Sequence, residues 1–204
     1  MLADLLNEPG VEEHLELRST FGFMAFHGGG LEKVTDIVAS EAAARSHASY
    51  YGVVQPDELQ WHVPSKFIHP DHSPKLAAFL DHVEIAVAVH GYGRKHLRWS
   101  VLLGGTNRRL AGHVSAHLRP RLPAYDIVDD LDSMPIELAG QHPDNPVNRP
   151  ELGGVQIELC PLVRWNVEAW AWSDHGEAGR APQTESLILG LAEAARAWAT
   201  NGTG

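Results

Sequence analysis

The sequence predicts an α/β fold, with one mixed, mostly parallel sheet flanked by helices, and a single domain over residues 1–204. Continuous apolar runs of strand length alternate along the chain with helical patterns, an order typical of layered α/β proteins. A length of 204 residues fits one domain with a sizeable core. The predicted strands are residues 21–26, 83–89, 100–103 and 153–159.

The predicted helices follow from apolar residues spaced three and four apart. Residues 71–82 form one helix, with Asp71 as its N-terminal cap, and residues 108–119 form another that ends before Pro120. A further helix follows the glycines 28–30. Its apolar face is formed by Leu31, Val34, Ile37, Val38 and Ala42.

The remaining segments differ in regularity. Residues 121–150 are rich in Pro, Asp and Asn and predict an ordered but irregular excursion. The Trp-rich segment 165–181 predicts no particular element. Residues 184–199 predict a terminal amphipathic helix. The core of the domain is expected over residues 20–164.

Composition and charge exclude several classes of function. A net charge of -10 argues against nucleic-acid or membrane-surface binding, both of which use clustered Lys and Arg. No stretch approaches the roughly 18 apolar residues of a membrane span. No signal peptide is visible at the N-terminus, and the one cysteine, Cys160, suits a reducing compartment. We therefore expect cytoplasmic synthesis, with release by cell lysis as an open possibility.

Polar residues follow three of the predicted strands directly. His27, His90 and Asn107 come just after the first, second and third apolar runs, each within or beside glycines. In open α/β sheets, ligands bind at the carboxyl ends of the strands. The sequence therefore predicts a site at one sheet edge.

The segment from His27 to Glu32 indicates a metal site. Its three glycines permit a sharp turn that brings the imidazole and the carboxylate, expected in the first turn of the helix, together. His90 is the expected third ligand, because two His and one Glu form a known hydrolytic zinc set. A structural hydrogen-bonded histidine and a phosphate-binding turn are the alternatives, although the phosphate-loop and dinucleotide patterns are missing.

Other histidine pairs are better explained without a metal. His113 and His117 are spaced for pairing on a helix surface, and the glutamate of the His-Glu-x-x-His motif is missing. His69 and His72 belong to a loop before a helix. The 13 histidines by themselves predict no site.

Glu158 is the candidate general base. Residues 155–159 alternate so that Glu158 faces away from Val155, Ile157 and Leu159, and Gln156 lies on its own side. A carboxylate in a buried strand needs a partner or a task. A salt bridge to Arg164 is one explanation; a base with a pKa shifted toward neutrality is the other.

Together these segments resemble the phage-type poly-γ-glutamate hydrolase family, which is itself similar to a trimmed zinc carboxypeptidase. The similarity covers roughly residues 22–164 and departs from the family pattern at Cys160–Pro161 and over 165–181. It is carried by the motifs His27-Gly-Gly-Gly-Leu-Glu32, Val89-His90-Gly91-Tyr92, Gly104-Gly105-Thr106-Asn107-Arg108, Asn148-Arg149 and Gly154-Val155-Gln156-Ile157-Glu158-Leu159.

The resemblance implies one zinc ion per chain, held by His27, Glu32 and His90, and hydrolysis of γ-glutamyl amide bonds in poly-γ-glutamate. It implies Glu158 as the base. An anionic glutamyl polymer or peptide is the expected partner, and it requires local positive charge on an acidic protein. The expected substrate-binding residues are Asn107, Arg108, Arg149 and Arg164, because arginine suits carboxylate recognition.

Two other functions fit the same residues. The first is a zinc amidase or carboxypeptidase acting on peptidoglycan stem peptides or small acyl amino acids. The second is an inactive α/β binding protein that keeps the fold. A substrate panel separates the two enzymes, and metal analysis separates both from the binding protein. The sequence predicts no oligomeric state.

Overall fold

A seven-stranded mixed sheet forms the centre of the molecule, in a computed structural model that describes residues 1–201. In space its strands run in the order β1-β3-β2-β4-β7-β5-β6. The bounds of the strands are β1 (Glu12–Glu16), β2 (Ser19–Gly29), β3 (Ala48–Gln55), β4 (Ile85–Gly91), β5 (Ser100–Leu103), β6 (Asp126–Val128) and β7 (Gly154–Leu159).

Strand direction divides the sheet into a parallel centre and two reversed edges. β3, β2, β4 and β7 are parallel to one another, so their carboxyl ends meet at one edge. β1 runs antiparallel to β3, and β5, which carries β6 parallel to it, runs antiparallel to β7. The predicted mixed, mostly parallel sheet is confirmed.

Helices cover both faces of this sheet and create two apolar cores. Phe23 of β2 faces one core, which α2, α4 and α6 complete, and its neighbour Met24 faces the other, which α1 and α3 complete. This alternation is the two-residue period of a strand buried on both sides. The helices are α1 (Leu2–Leu5), α2 (Thr35–Ser46), α3 (Pro74–His82), α4 (Arg108–Leu118), α5 (Pro161–Arg164) and α6 (Pro182–Asn201).

Two helices begin later than the sequence pattern suggests. α3 begins at Pro74, and Ser73 caps it by accepting the backbone N–H groups of Lys75 and Leu76, so the predicted cap Asp71 is wrong. Asp71 lies in a preceding 3-10 turn. α2 begins at Thr35, because the chain first makes a turn over the residues that follow the glycines.

The two segments for which the sequence predicts no regular helix or strand contain only short elements. A two-stranded hairpin, β8 (Trp165–Asn166) and β9 (Ala171–Trp172), occupies the Trp-rich segment and leaves Trp170 80% exposed. The excursion over 121–150 contains β6 and three 3-10 turns. Among the described residues, no helix combines the length and apolar character needed to cross a membrane.

Candidate active site at the carboxyl ends of the central strands

A cavity of about 500 Å³ opens where β2, β4 and β7 end, and we call it the main cleft. The parallel direction of these three strands brings their terminal residues to this edge. His27 and His90, which the sequence predicts at one sheet edge, both lie here together with Glu158, whereas Asn107, predicted at the same edge, does not. The cleft's polar lining includes His27, Glu32, His62, His90, Gln156 and Glu158.

A glycine turn folds Glu32 back over the end of β2. Gly29 has a φ of +68°, and a Cβ there would lie 2.1 Å from the Gln55 backbone oxygen. The backbone N–H of Glu32 donates to the His27 carbonyl over 2.8 Å, which closes the turn. Glu32 thus lies in the turn itself, and its predicted place in the first helical turn is wrong because α2 begins only at Thr35.

The His27 imidazole is oriented by contacts on both of its nitrogens. Nε2 lies 2.9 Å from the Val63 carbonyl oxygen, and Nδ1 lies 2.9 Å from Glu32 Oε1. A carbonyl oxygen only accepts, so Nε2 carries the proton and Nδ1 is directed at the carboxylate. Burial lowers the pKa of His27, but the Glu32 carboxylate outweighs burial and raises that pKa overall.

His90 approaches Glu32 from the neighbouring strand. Its Nδ1 lies 3.5 Å from Glu32 Oε2, which also accepts the Gly91 backbone N–H over 2.8 Å. Burial raises the pKa of Glu32, but the imidazoles of His27 and His90 outweigh burial and hold that pKa well below its usual range. His90 Nε2 is buried and has no hydrogen-bond partner among the described residues.

Glu158 lies beside His90, because the two residues are in register across β4 and β7. The Gln156 side-chain amide donates to Glu158 Oε1 over 2.8 Å, and Asn145 donates to the Gln156 oxygen over 2.7 Å. Burial raises the pKa of Glu158 to about 7 against the opposing effect of His90, and the negative charge of Glu32 adds to the rise. The carboxylate is therefore poised to exchange a proton near neutral pH.

His62 is a cleft residue that sequence reasoning missed. Its ring lies 4.7 Å from that of His27, and one potential ligand atom from each of His27, Glu32 and His62 lies within 4.8 Å of the others. Burial and the nearby His27 lower the pKa of His62. No motif marks this residue, since it follows a strand that the sequence did not predict.

A second cavity of about 320 Å³ adjoins the main cleft and shares Glu32 and Gly91 with it. Arg164 lines this second cavity and is only 4% exposed. Its guanidinium donates to the Lys33 carbonyl over 2.8 Å, and it stacks 5.1 Å from the centre of the Trp172 ring. Burial lowers the pKa of Arg164. Glu158 has no salt bridge to Arg164, since its bonded partner is Gln156.

Three of the expected substrate-binding residues line neither cavity. Asn107 caps α4, since its Oδ1 accepts the Leu110 N–H over 2.8 Å. Arg108 donates to the backbone carbonyls of residues 103, 105 and 129. Both follow β5, whose antiparallel direction carries its carboxyl end away from the edge where β7 ends. Arg149 instead forms an ion pair with Asp144, in which Nη2 lies 3.7 Å from Oδ1.

A comparison with models of protein families identifies the family of this chain and its class of reaction. The family model described as poly-gamma-glutamate hydrolase matches residues 4–170, which is most of the chain. The chain belongs to the poly-γ-glutamate hydrolase family. Membership confirms the predicted resemblance and makes the protein a hydrolase of amide bonds. No curated protein sequence matches the chain.

Solved structures with the same fold are distant in sequence. A bacteriophage poly-gamma-glutamate hydrolase superposes with a TM-score of 0.80 at 19% identity, covering 97% of this chain and 95% of that one. A protein described as zinc-free YNDL gives 0.69 at 19% identity, with coverages of 97% and 94%. An N-formylglutamate amidohydrolase from Ralstonia eutropha JMP134 gives 0.54 at 12% identity, with coverages of 94% and 97%. These similarities establish the fold.

The donor set of this poly-γ-glutamate hydrolase family member fits a divalent cation. Two imidazole Nδ1 atoms, of His27 and His90, face the two oxygens of the Glu32 carboxylate. The Nε2–H of His27 donates to a backbone carbonyl, and metal-binding histidines usually donate their second ring N–H in this way. Uncharged imidazole nitrogens and a carboxylate are ligands that zinc prefers. His90 and His62 are the two histidines near enough to Glu32 to complete this set with His27.

Proposed function

We propose that the protein hydrolyses γ-glutamyl amide bonds of poly-γ-glutamate with one zinc ion held by His27, Glu32 and His90, and with Glu158 as the general base. The observation that carries the proposal is the position of the Glu32 carboxylate between two imidazole Nδ1 atoms, at 2.9 Å and 3.5 Å. Zinc at such a site supplies Lewis acidity, which lowers the pKa of water and polarises an amide carbonyl.

The protein's own part in the reaction centres on Glu158. A carboxylate with a pKa of about 7 can take a proton from the attacking water and deliver it to the nitrogen of the leaving amine. The Gln156 amide holds one oxygen of Glu158, which leaves the other oxygen available for these transfers. Register across β4 and β7 fixes this base next to His90.

We propose Arg164 as the group that receives a substrate carboxylate. Each unit of a γ-linked glutamate polymer keeps a free α-carboxylate close to the amide bond. Arg164 spends three of its five N–H donors on the backbone carbonyls of residues 33, 92 and 160, and it forms no salt bridge with a described carboxylate. The Gly91 backbone lies close to both groups, since its N–H donates to Glu32 Oε2 over 2.8 Å and a Cβ on it would lie 2.6 Å from the guanidinium carbon of Arg164. A protein with a net charge of -10 needs such a local cation to hold a polyanion.

Metal analysis combined with a substrate panel tests the proposed function. Protein stripped with a chelator and reloaded with zinc is expected to bind one zinc per chain and to cleave γ-linked polyglutamate but not the α-linked polymer. N-formylglutamate is the second candidate substrate, because an amidohydrolase for it shares the fold. Full activity of the stripped protein contradicts the zinc proposal. Cleavage of N-formylglutamate alone contradicts the polymer as substrate.

The carboxylate-binding role of Arg164 has a matched control in Arg108. Both arginines donate to backbone carbonyls, but Arg108 lines neither cavity. Arg164→Gln is expected to raise KM for the γ-linked polymer roughly tenfold, because a hydrogen bond to a charged group is worth about 1.5–3 kcal/mol. Arg108→Gln should leave KM unchanged. Equal KM values for the two variants, with comparable thermal stability, would remove Arg164 from the substrate site.

A further inference from the structure

The loop that carries His62 is fixed on both sides of that residue. The buried Gln55 side chain donates to the Trp61 carbonyl over 3.1 Å and accepts the Trp61 N–H over 3.0 Å. On the other side, His27 Nε2 donates to the Val63 carbonyl over 2.9 Å. The backbone of His62 is therefore held in place by groups at the ends of β3 and β2.

The His62 side chain itself is not hydrogen-bonded to the part of the chain that the structure describes. It is exposed to the main cleft and makes no hydrogen bond to another described residue. Its ring lies at 49° to that of His27, with centroids 4.7 Å apart. Hydrogen bonds hold Trp61 and Val63 on either side of His62, while the His62 imidazole itself forms none with the described residues. The loop therefore positions this imidazole at the cleft and does not pack it into the core.

The distances favour a metal as the reason for this placement. Ligand atoms of His27, Glu32 and His62 all lie within 4.8 Å of one another. Two ligands of one zinc, each about 2.0–2.2 Å from the ion, are separated by at most roughly 4.4 Å. The His62 side chain is exposed, so its imidazole has room to move toward a shared ion. The other donors of the proposed site are less accessible, since the side chains of His27, Glu32 and His90 are 2%, 13% and 4% exposed.

We propose that His62 is a fourth protein donor to the metal of the main cleft, and that it gives up its place to substrate. The proposal rests on the metal site described under the proposed function. A catalytic zinc site keeps one position open, whereas four protein ligands close the site. His62 is the exposed donor on a surface loop, so it is the one that can withdraw while the buried donors keep the ion. The resting protein would then bind metal more tightly than a three-ligand site.

Metal affinity and coordination number test this assignment independently of turnover. Affinity is measured by chelator competition, and the number of imidazoles by X-ray absorption of the zinc-loaded protein. His62→Ala is expected to weaken affinity at least about 10–100-fold, which is the cost of losing an outer partner alone, and to reduce the imidazole count from three to two. His142→Ala is the matched control, since His142 lines the same cleft outside the donor cluster, and its metal affinity should equal that of wild type.

The outcomes separate this inference from the proposed function. Wild-type affinity in His62→Ala with two imidazoles in both proteins overturns the fourth-donor role and leaves the proposed site intact. His90→Ala must lose metal if the proposed site is right. Retention of metal in His90→Ala together with its loss in His62→Ala supports His62 and overturns the His90 assignment. Wild-type protein that binds no metal overturns both.

Discussion

Two carboxylates in the same cleft experience opposite environments. Glu32 lies in a turn, faces two imidazoles and accepts a backbone N–H, and its pKa is held far below the usual range. Glu158 lies in the middle of the sheet, has one neutral amide partner, and has a pKa raised to about 7. Both side chains are largely shielded from solvent, so burial alone does not explain the difference between their pKa values. The two pKa values differ because Glu32 has more positively polarised partners than Glu158.

This difference assigns the two residues different chemistry. A carboxylate that stays ionised at every working pH is suited to holding a cation, whereas one that titrates near neutrality is suited to moving protons. Pairs of acidic groups whose surroundings drive their pKa values apart are a recurring sign of divided roles. The same residue type thus acts as proposed ligand on one wall of the cleft and as proposed base on the other.

The largest expected effect comes from neutralising the base. Glu158→Gln should lower kcat on γ-linked polyglutamate about 10³-fold, because general base catalysis contributes roughly 10²–10⁴ in rate. Zinc content, measured by mass spectrometry, should stay at one per chain. Glu137→Gln is the control, since Glu137 is an exposed carboxylate at the cleft rim, paired with Arg94. A Glu158→Gln variant with wild-type kcat refutes the base assignment.

Neutralising the other carboxylate should affect the metal first. Glu32→Gln keeps the shape of the side chain and an acceptor for the Gly91 N–H, but removes the charge. Zinc affinity is expected to fall by more than the roughly 100-fold that loss of an outer partner costs. Chelator competition measures it, with Asp57→Asn, an exposed carboxylate paired with Lys33, as control. Equal affinities in the two variants would mean that Glu32 is not a ligand.

The stability of the metal-free protein should depend on pH with a defined sign. The folded pKa of Glu158 lies above its usual value of 4.5, so its contribution is complete below pH 4.5 and is lost as pH rises through about 7. A shift of this size corresponds to about 3 kcal/mol. Urea unfolding at pH 5 and pH 8 should show this loss in wild type and not in Glu158→Gln. Identical pH dependence in both proteins contradicts the raised pKa.

The smallest effect is expected at the partner of the base. Gln156→Leu removes the hydrogen bond that favours ionised Glu158, so the pKa of Glu158 should rise further, by about one unit. Carbon-13 NMR titration of the metal-free protein measures this change. Gln141→Leu, at the rim of the same cleft, should leave the titration unchanged. A Glu158 titration that is unaltered by Gln156→Leu would show that Gln156 does not tune the base.

The centre of the site could be predicted because local patterns determine it. Continuous apolar runs ending at His27 and His90 mark buried parallel strands whose ends must meet. The alternation of residues 155–159 places Gln156 and Glu158 on the cleft side of β7. The glycines after His27 require a turn at that point. Each of these features depends on residues close together in the chain.

Other features depend on information that local patterns do not carry. The apolar run of β5 does not indicate its direction, so the sequence predicts Asn107 at the edge opposite to the one it occupies. His62 follows β3, whose mixture of polar and apolar residues does not predict a strand, and the contacts that fix the neighbours of His62 come from Gln55 and His27. The start of α2 is set by the turn around Glu32 rather than by its apolar face.

His90 and Glu158 are neighbours only when β4 and β7 pair in the observed register, so the geometry of the candidate site depends on correct assembly of the sheet. Successive side chains of a strand point to opposite faces, so a slip of one residue in this pairing would move one of the two groups out of the cleft. A misaligned chain would separate the proposed ligand His90 from the proposed base Glu158 while it could still remain compact. Insertions before either strand are therefore tolerable only where they leave this alignment unchanged.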